Sequence, residues 1–145
     1  MPEQDQRVMK PGDYGKNFSL KDQYDETFDL LENMGRRVLL SFHPLAWTAF
    51  CADQMTSLER NVETFESLKT VAVGISVDSV LCKKAWADHL KIEETRLLSD
   101  FWPHGKVAQL YGLFREANGF SERANVIVDE RMQVLFVKVY PVHSV

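Results

Sequence analysis

A chain of 145 residues with 45% hydrophobic and 26% charged side chains has the size and composition of one globular domain, spanning residues 1–145, with enough apolar material for a single core. A net charge of −4, and no basic run longer than the pairs Arg36–Arg37 and Lys83–Lys84, argue against a nucleic-acid partner. The polar first 37 residues hold no secretory-type apolar segment and no later run approaches the roughly 18 apolar residues of a membrane span, so a cytoplasmic protein away from membranes is expected.

In chain order, residues 1–12 are polar and read as a frayed terminus. Phe18–Leu20 and Thr27–Leu31, joined by a polar turn near Gln23–Asp25, predict a small β-hairpin, with a further turn at Gly35. Val38–Phe42 is a short, nearly continuous apolar run, the pattern of a central strand covered on both faces, and Pro44 closes it. From Ala49 to Leu68 the apolar residues Met55, Leu58, Val62, Phe65 and Leu68 recur every three or four positions, which predicts one amphipathic helix. Val71–Val77 is a second buried-strand candidate, and Ser79 caps a helix running to Leu90. Arg96–Leu98 reads as a short strand, Val107–Tyr111 as a short helix ended by Gly112, and Ala124–Val128 with Val134–Tyr140 as a closing hairpin. The order predicts an α/β fold with a mixed central sheet flanked by helices.

The two cysteines, Cys51 and Cys82, are too few for a disulfide framework and do not form a CxxC pair. His43, His89, His104 and His143 show no metal-binding spacing, so no metal or other cofactor is expected. Cys51 is the informative residue. It follows the strand in PLAWTAFC and falls in the first turn of the next helix, where unpaired N–H groups favour the thiolate, the form that attacks electrophiles. Cys82 also lies in a first helical turn, near Lys83 and Lys84, which favours a thiolate there too. Against that, Cys82, Trp86 and Leu90 share one helix face, the spacing of a packed small hydrophobe.

PLAWTAFC resembles the peroxiredoxin signature PxxxTxxC at Pro44, Thr48 and Cys51. Arg123, in SERANVIVD, stands where that family has an arginine before a late strand, and residues 96–114, RLLSDFWPHGKVAQLYGLF, resemble the AhpE-like one-cysteine subgroup. The resemblance implies a thioredoxin-like three-layer fold and a thiol-dependent peroxidase. It also implies that Cys51 attacks the hydroperoxide, Thr48 and Arg123 orient it, and Pro44 shields the sulfur. The expected partners are an external thiol reductant, such as a thioredoxin-, glutaredoxin- or mycoredoxin-like protein, and a second copy in a homodimer. Cys82 is the candidate resolving cysteine inside the chain. A sensor that is oxidised once and signals to a partner needs the same activated thiol and is the alternative reading.

The plainer readings are a capping role for Thr48, a surface ion pair of Arg123 with Glu122 or Glu116, and, for Trp47, Phe50, Phe101 and Trp102, core packing as the default over lining the pocket or a subunit contact. Three departures from the family pattern stand out. His43 replaces an aromatic residue and is expected as a neutral packed ring. Gln54 replaces a glutamate, removing a charge that competes with the thiolate while keeping an acceptor for an arginine. The chain stops at Val145 where the family continues into a final helix, so apolar sheet surface is expected to be exposed.

Overall fold

The computed structural model describes residues 7–142. The expectations for residues 1–6 and for His143 lie outside that range. Seven strands form one mixed sheet in the order β2-β1-β5-β4-β3-β8-β9: β1 (Ser19–Lys21), β2 (Thr27–Asp29), β3 (Arg37–Phe42), β4 (Thr70–Ser76), β5 (Arg96–Ser99), β8 (Arg123–Val128) and β9 (Val134–Tyr140). A separate small pair, β6 (Phe114–Arg115) and β7 (Phe120–Ser121), was not signalled by the sequence. The helices are α1 (Ala49–Arg60), α2 (Val62–Ser67), α3 (Val80–Leu90) and α4 (Lys106–Leu110). None of the helices described is long and apolar enough to cross a membrane.

Alternation along the central strands divides the core into two layers. Val38, Leu40 and Phe42 of β3, with Val73 and Ile75 of β4 and Val126 of β8, pack with Val107 and Tyr111 around α4 on one face. Leu39 and Leu97 face the other layer, where Cys51, Met55 and Leu58 of α1 meet Trp86 of α3. β3 is buried along both faces from Val38 to Phe42, as its nearly continuous apolar run predicts. Gly74 in β4 makes the close approach of α1 feasible, because a β-carbon there would strike the Met55 Sδ. Gly74→Ala is therefore expected to destabilise the protein by about 1–3 kcal/mol through overpacking, read as a lowered midpoint in urea unfolding.

Some boundaries differ from expectation. The 49–68 helix is broken at Asn61, whose side-chain amide donates to the Ser57 carbonyl at 2.7 Å and competes with the helical ladder. β2 ends at Asp29, followed by a 3-10 turn at Leu31–Asn33. The polar stretch before residue 12 is tied down from Met9 onward: its N–H donates to the Tyr111 carbonyl, and the Gly12 N–H to that of Val134. Leu135, Phe136 and Val139 on β9 are exposed, and Leu135 and Phe136 line a 380 Å³ groove with Leu39, Phe65, Leu68 and Ile127.

Candidate active site

The register brings the site together. β3 runs parallel to β4 and β5 and antiparallel to β8, with Phe42 opposite Ala124. The segment leaving β3 toward α1 therefore passes beside the start of β8, where Arg123 stands. Cys51 is the third residue of α1, and the Arg123 Nη1 donates to its Sγ at 3.5 Å from 72 positions further along the chain. The Arg123 guanidinium also lies over the Phe50 ring, 5.7 Å from its centroid. The surface ion pair considered for Arg123 is not formed with Glu122, whose carboxylate takes Arg115 at 3.1 Å.

Thr48 occupies the N-cap position of α1, but its hydroxyl makes no cap bond and instead donates to the Leu45 carbonyl at 2.9 Å. With its proton committed, the Thr48 Oγ1 offers only acceptor capacity toward a ligand. Pro44 is buried at the end of β3, and Cys51 has no exposed surface. Trp47, between Pro44 and Cys51, holds φ of +68°, a left-handed conformation that non-glycine residues adopt only under constraint.

The constraint comes from a residue that pattern reading missed. The Asp78 Oδ2 accepts from the Ala46 N–H at 2.8 Å and from the Ser76 hydroxyl at 2.6 Å, tying the segment before α1 to the end of β4. Asp78 is not among the residues singled out from the sequence; the Ser79 hydroxyl caps α3 as expected, accepting from the Cys82 N–H at 3.2 Å.

His43 is fully buried, its ring 5.5 Å from that of Trp86. Burial, together with the nearby Lys83 charge, pushes its imidazole well below the usual range, so it is the neutral packed ring expected. Its backbone carbonyl accepts from the Ser121 hydroxyl at 3.3 Å, two residues before Arg123. Gln54 departs from expectation. Its amide donates to the Ser41 hydroxyl at 2.7 Å and the Phe42 carbonyl at 3.0 Å, while Oε1 is buried without a hydrogen-bond partner, so it accepts nothing from an arginine.

Cys82 is half-buried and free, with Sγ 3.8 Å from Asp78 Oδ1. Burial and the Asp78 carboxylate push its thiol up, so the thiolate expected from the helix start and the two lysines does not form readily. The lysines do not offset this: Lys84 pairs with Asp88 at 3.1 Å, and the inward-turned Lys83 favours the thiolate by less than burial and Asp78 oppose it. The core packing expected for four aromatics is also overturned. Trp47, Phe50 and Phe101 are about half exposed or more and Trp102 is 80% exposed; Trp47, Phe101 and Trp102 stand on the turns after β3 and β5, and Phe50 in the first turn of α1. Trp47 stacks on His89 at 5.1 Å. Behind Phe101 and Trp102, the Asp100 carboxylate accepts from the Val107 and Ala108 N–H groups at 3.0 Å each and anchors α4; burial still raises it to about 6.

The chain is similar to known proteins in sequence and in fold. The sequence model of the AhpC/TSA family matches residues 11–137. Alkyl hydroperoxide reductase E of Mycobacterium tuberculosis is 35% identical over 132 residues, spanning 90% of this chain and 86% of that protein. The crystal structure of peroxidoxin BcpB from Mycobacterium tuberculosis superposes with a TM-score of 0.82 at 28% identity, covering 90% of this chain and 86% of that one. Mycobacterium tuberculosis AhpC, at 22% identity and a TM-score of 0.83 over 96% of this chain and 90% of its own, shares the thioredoxin-like fold. With a cysteine at a helix start, an arginine from a distant strand on its sulfur, and likeness along almost its whole length, this chain belongs to the AhpC/TSA family, among the peroxiredoxins that resemble alkyl hydroperoxide reductase E.

Proposed function

We propose that the thiol peroxidase chemistry of this family runs here on Cys51, with Thr48 and Arg123 orienting the hydroperoxide and Pro44 shielding the sulfur. The observation that carries this reading is the 3.5 Å contact of the Arg123 guanidinium with the Cys51 Sγ. A hydroperoxide bound there donates its O–H to Thr48 Oγ1, whose own proton is held by Leu45, and receives hydrogen bonds from the Arg123 fork. The thiolate then attacks the nearer oxygen. The S–O bond forms as the O–O bond breaks, the sulfur pair reduces the peroxide, and the leaving alkoxide takes a proton to become an alcohol or water. Cys51 is left as a sulfenic acid, to be returned to the thiol by a second thiol before further oxidation.

An external reductant of the thioredoxin, glutaredoxin or mycoredoxin kind fits better than Cys82, because burial and Asp78 disfavour the Cys82 thiolate that would have to attack. Exposed Trp47, Phe50, Phe101 and Trp102 follow the carboxyl ends of the parallel strands and offer an apolar surface for a homodimer. A cytoplasmic setting is compatible with two unpaired cysteines.

Mass spectrometry after one equivalent of hydrogen peroxide tests the reading. One added oxygen on Cys51, reversed by dithiothreitol and absent in Cys51→Ser, is the expected result. Loss of two hydrogens with a Cys51–Cys82 bridge would assign the resolving role to Cys82. An unmodified Cys51 under conditions that oxidise free cysteine refutes the proposal.

A further inference from the structure

Lys83 is fully buried, the one lysine or arginine among the described residues that is. It projects from α3 into the layer that contains Cys51. Its ammonium donates to the His43 Nε2 at 2.9 Å and lies 5.7 Å from the centre of the Trp86 ring. Because His43 is neutral, that bond fixes the position of the ammonium without cancelling its charge. An unbalanced buried cation is costly, so anions must hold it there.

The groups whose charge acts on Lys83 come from every side. Asp78 approaches from the β4–α3 connection, Cys51 from α1, Cys82 from its own helix and Asp100 from the end of β5, all favouring the ammonium. Arg123, from β8, adds to Lys83 in disfavouring a charged His43. Asp78 and Asp100 keep their roles through the reaction, as anchors of the 44–48 segment and of α4. Cys51 is the neighbour whose charge the chemistry changes.

We propose that Lys83 is an internal counter-charge to the Cys51 sulfur, a positioning residue held by His43 that keeps its proton while the sulfur is an anion and releases it when oxidation makes the sulfur neutral. The inference rests on the peroxidase reading for its consequence, and the balance is simple. A Cys51 thiolate, a Lys83 ammonium and a hydroperoxide become a Cys51 sulfenic acid, a neutral Lys83 amine and an alcohol or water. The proton that neutralises the alkoxide is matched by the one Lys83 gives up, so the buried layer loses one negative and one positive charge together. Burial already lowers Lys83 to about 8, where the removal of a single neighbouring anion shifts its occupancy near neutral pH. The coupling is reciprocal: the cation stabilises the sulfur anion by as much as the anion stabilises the cation.

Carbon NMR of the full chain labelled at lysine Cε reads this directly, with Lys83→Arg used to assign the resonance. In the reduced protein the Lys83 signal is expected to titrate near pH 8; in Cys51→Ser, where the sulfur anion is gone, its midpoint is expected to fall by about one unit or more, to about pH 7 or below. Wild-type protein treated with one equivalent of hydrogen peroxide is expected to shift the same way, which covers the case of a poorly folded serine variant. A midpoint in the ordinary lysine range, or the same midpoint in reduced, oxidised and Cys51→Ser protein, overturns the proposal. The reduced and serine titrations need no peroxide, so their failure leaves the peroxidase reading standing, and an unreactive Cys51 leaves the counter-charge test intact.

Discussion

Arg123→Ala is expected to lower the second-order rate constant with hydrogen peroxide by about 10²- to 10³-fold, the loss typical of removing one preorganised donor from a developing oxyanion. Two effects of the guanidinium must be separated. At 3.5 Å from Sγ it supports the anionic sulfur, and its remaining N–H groups are available to the peroxide. Complete ionisation of an ordinary cysteine gains at most about thirtyfold at pH 7, or ~2 kcal/mol. A larger loss must come from the transition state, where charge moves from sulfur to the leaving oxygen. Stopped-flow oxidation, carried out where the thiolate absorbance of both proteins has reached its plateau, isolates that part. A remaining deficit of tenfold or more supports orientation and charge stabilisation by Arg123; equal rates on the plateau would reduce its role to ionising the sulfur. Arg123→Lys tests geometry, since it keeps the charge but loses the planar fork, and is expected to recover only part of the rate.

The elements that build this site were legible in the sequence to different degrees. The β3 run, the Ser79 cap and the closing hairpin carry local signals, and each formed where those signals lie. Cys51, Thr48, Pro44 and Arg123 were selected by motif, and the sheet register explains why the last of them arrives: pairing Phe42 with Ala124 sets the residue before Ala124 beside the start of α1. Asp78, Lys83 and Gln54 were not legible in the same way, because their roles depend on partners far along the chain. A lysine in a helix beside a second lysine reads as a solvated face; only folding shows Lys84 reaching outward to Asp88 while Lys83 turns inward to His43. The exposed aromatics failed for the opposite reason. Apolar side chains have burial as their default, and Trp102 and Phe101 stand on a turn that the sheet carries away from both core layers.

Asp78→Ala is expected to cost about 3–5 kcal/mol of stability at pH 7, or roughly 10 °C in the unfolding midpoint of a domain this size. Two donors, the Ala46 N–H and the Ser76 hydroxyl, lose their acceptor, and Lys83 loses the anion that acts on it most strongly. Asp78→Asn keeps an acceptor and the side-chain shape, so it isolates the charge. Its loss should depend on pH, with a definite sign. Lys83 is lowered from 10.5 to about 8 in the folded protein, so between these values the unfolded chain binds more protons and stability rises with pH. Below pH 8 the full cost of the buried ammonium is present, about 3 kcal/mol; above pH 10.5 it is gone. Removing the Asp78 charge deepens that cost only where Lys83 is protonated. Urea unfolding is therefore expected to show Asp78→Asn clearly less stable than wild type at pH 7, with the gap closing by pH 10. A gap of equal size at both pH values would mean that Asp78 acts through its hydrogen bonds to the 44–48 segment alone, with no electrostatic hold on Lys83.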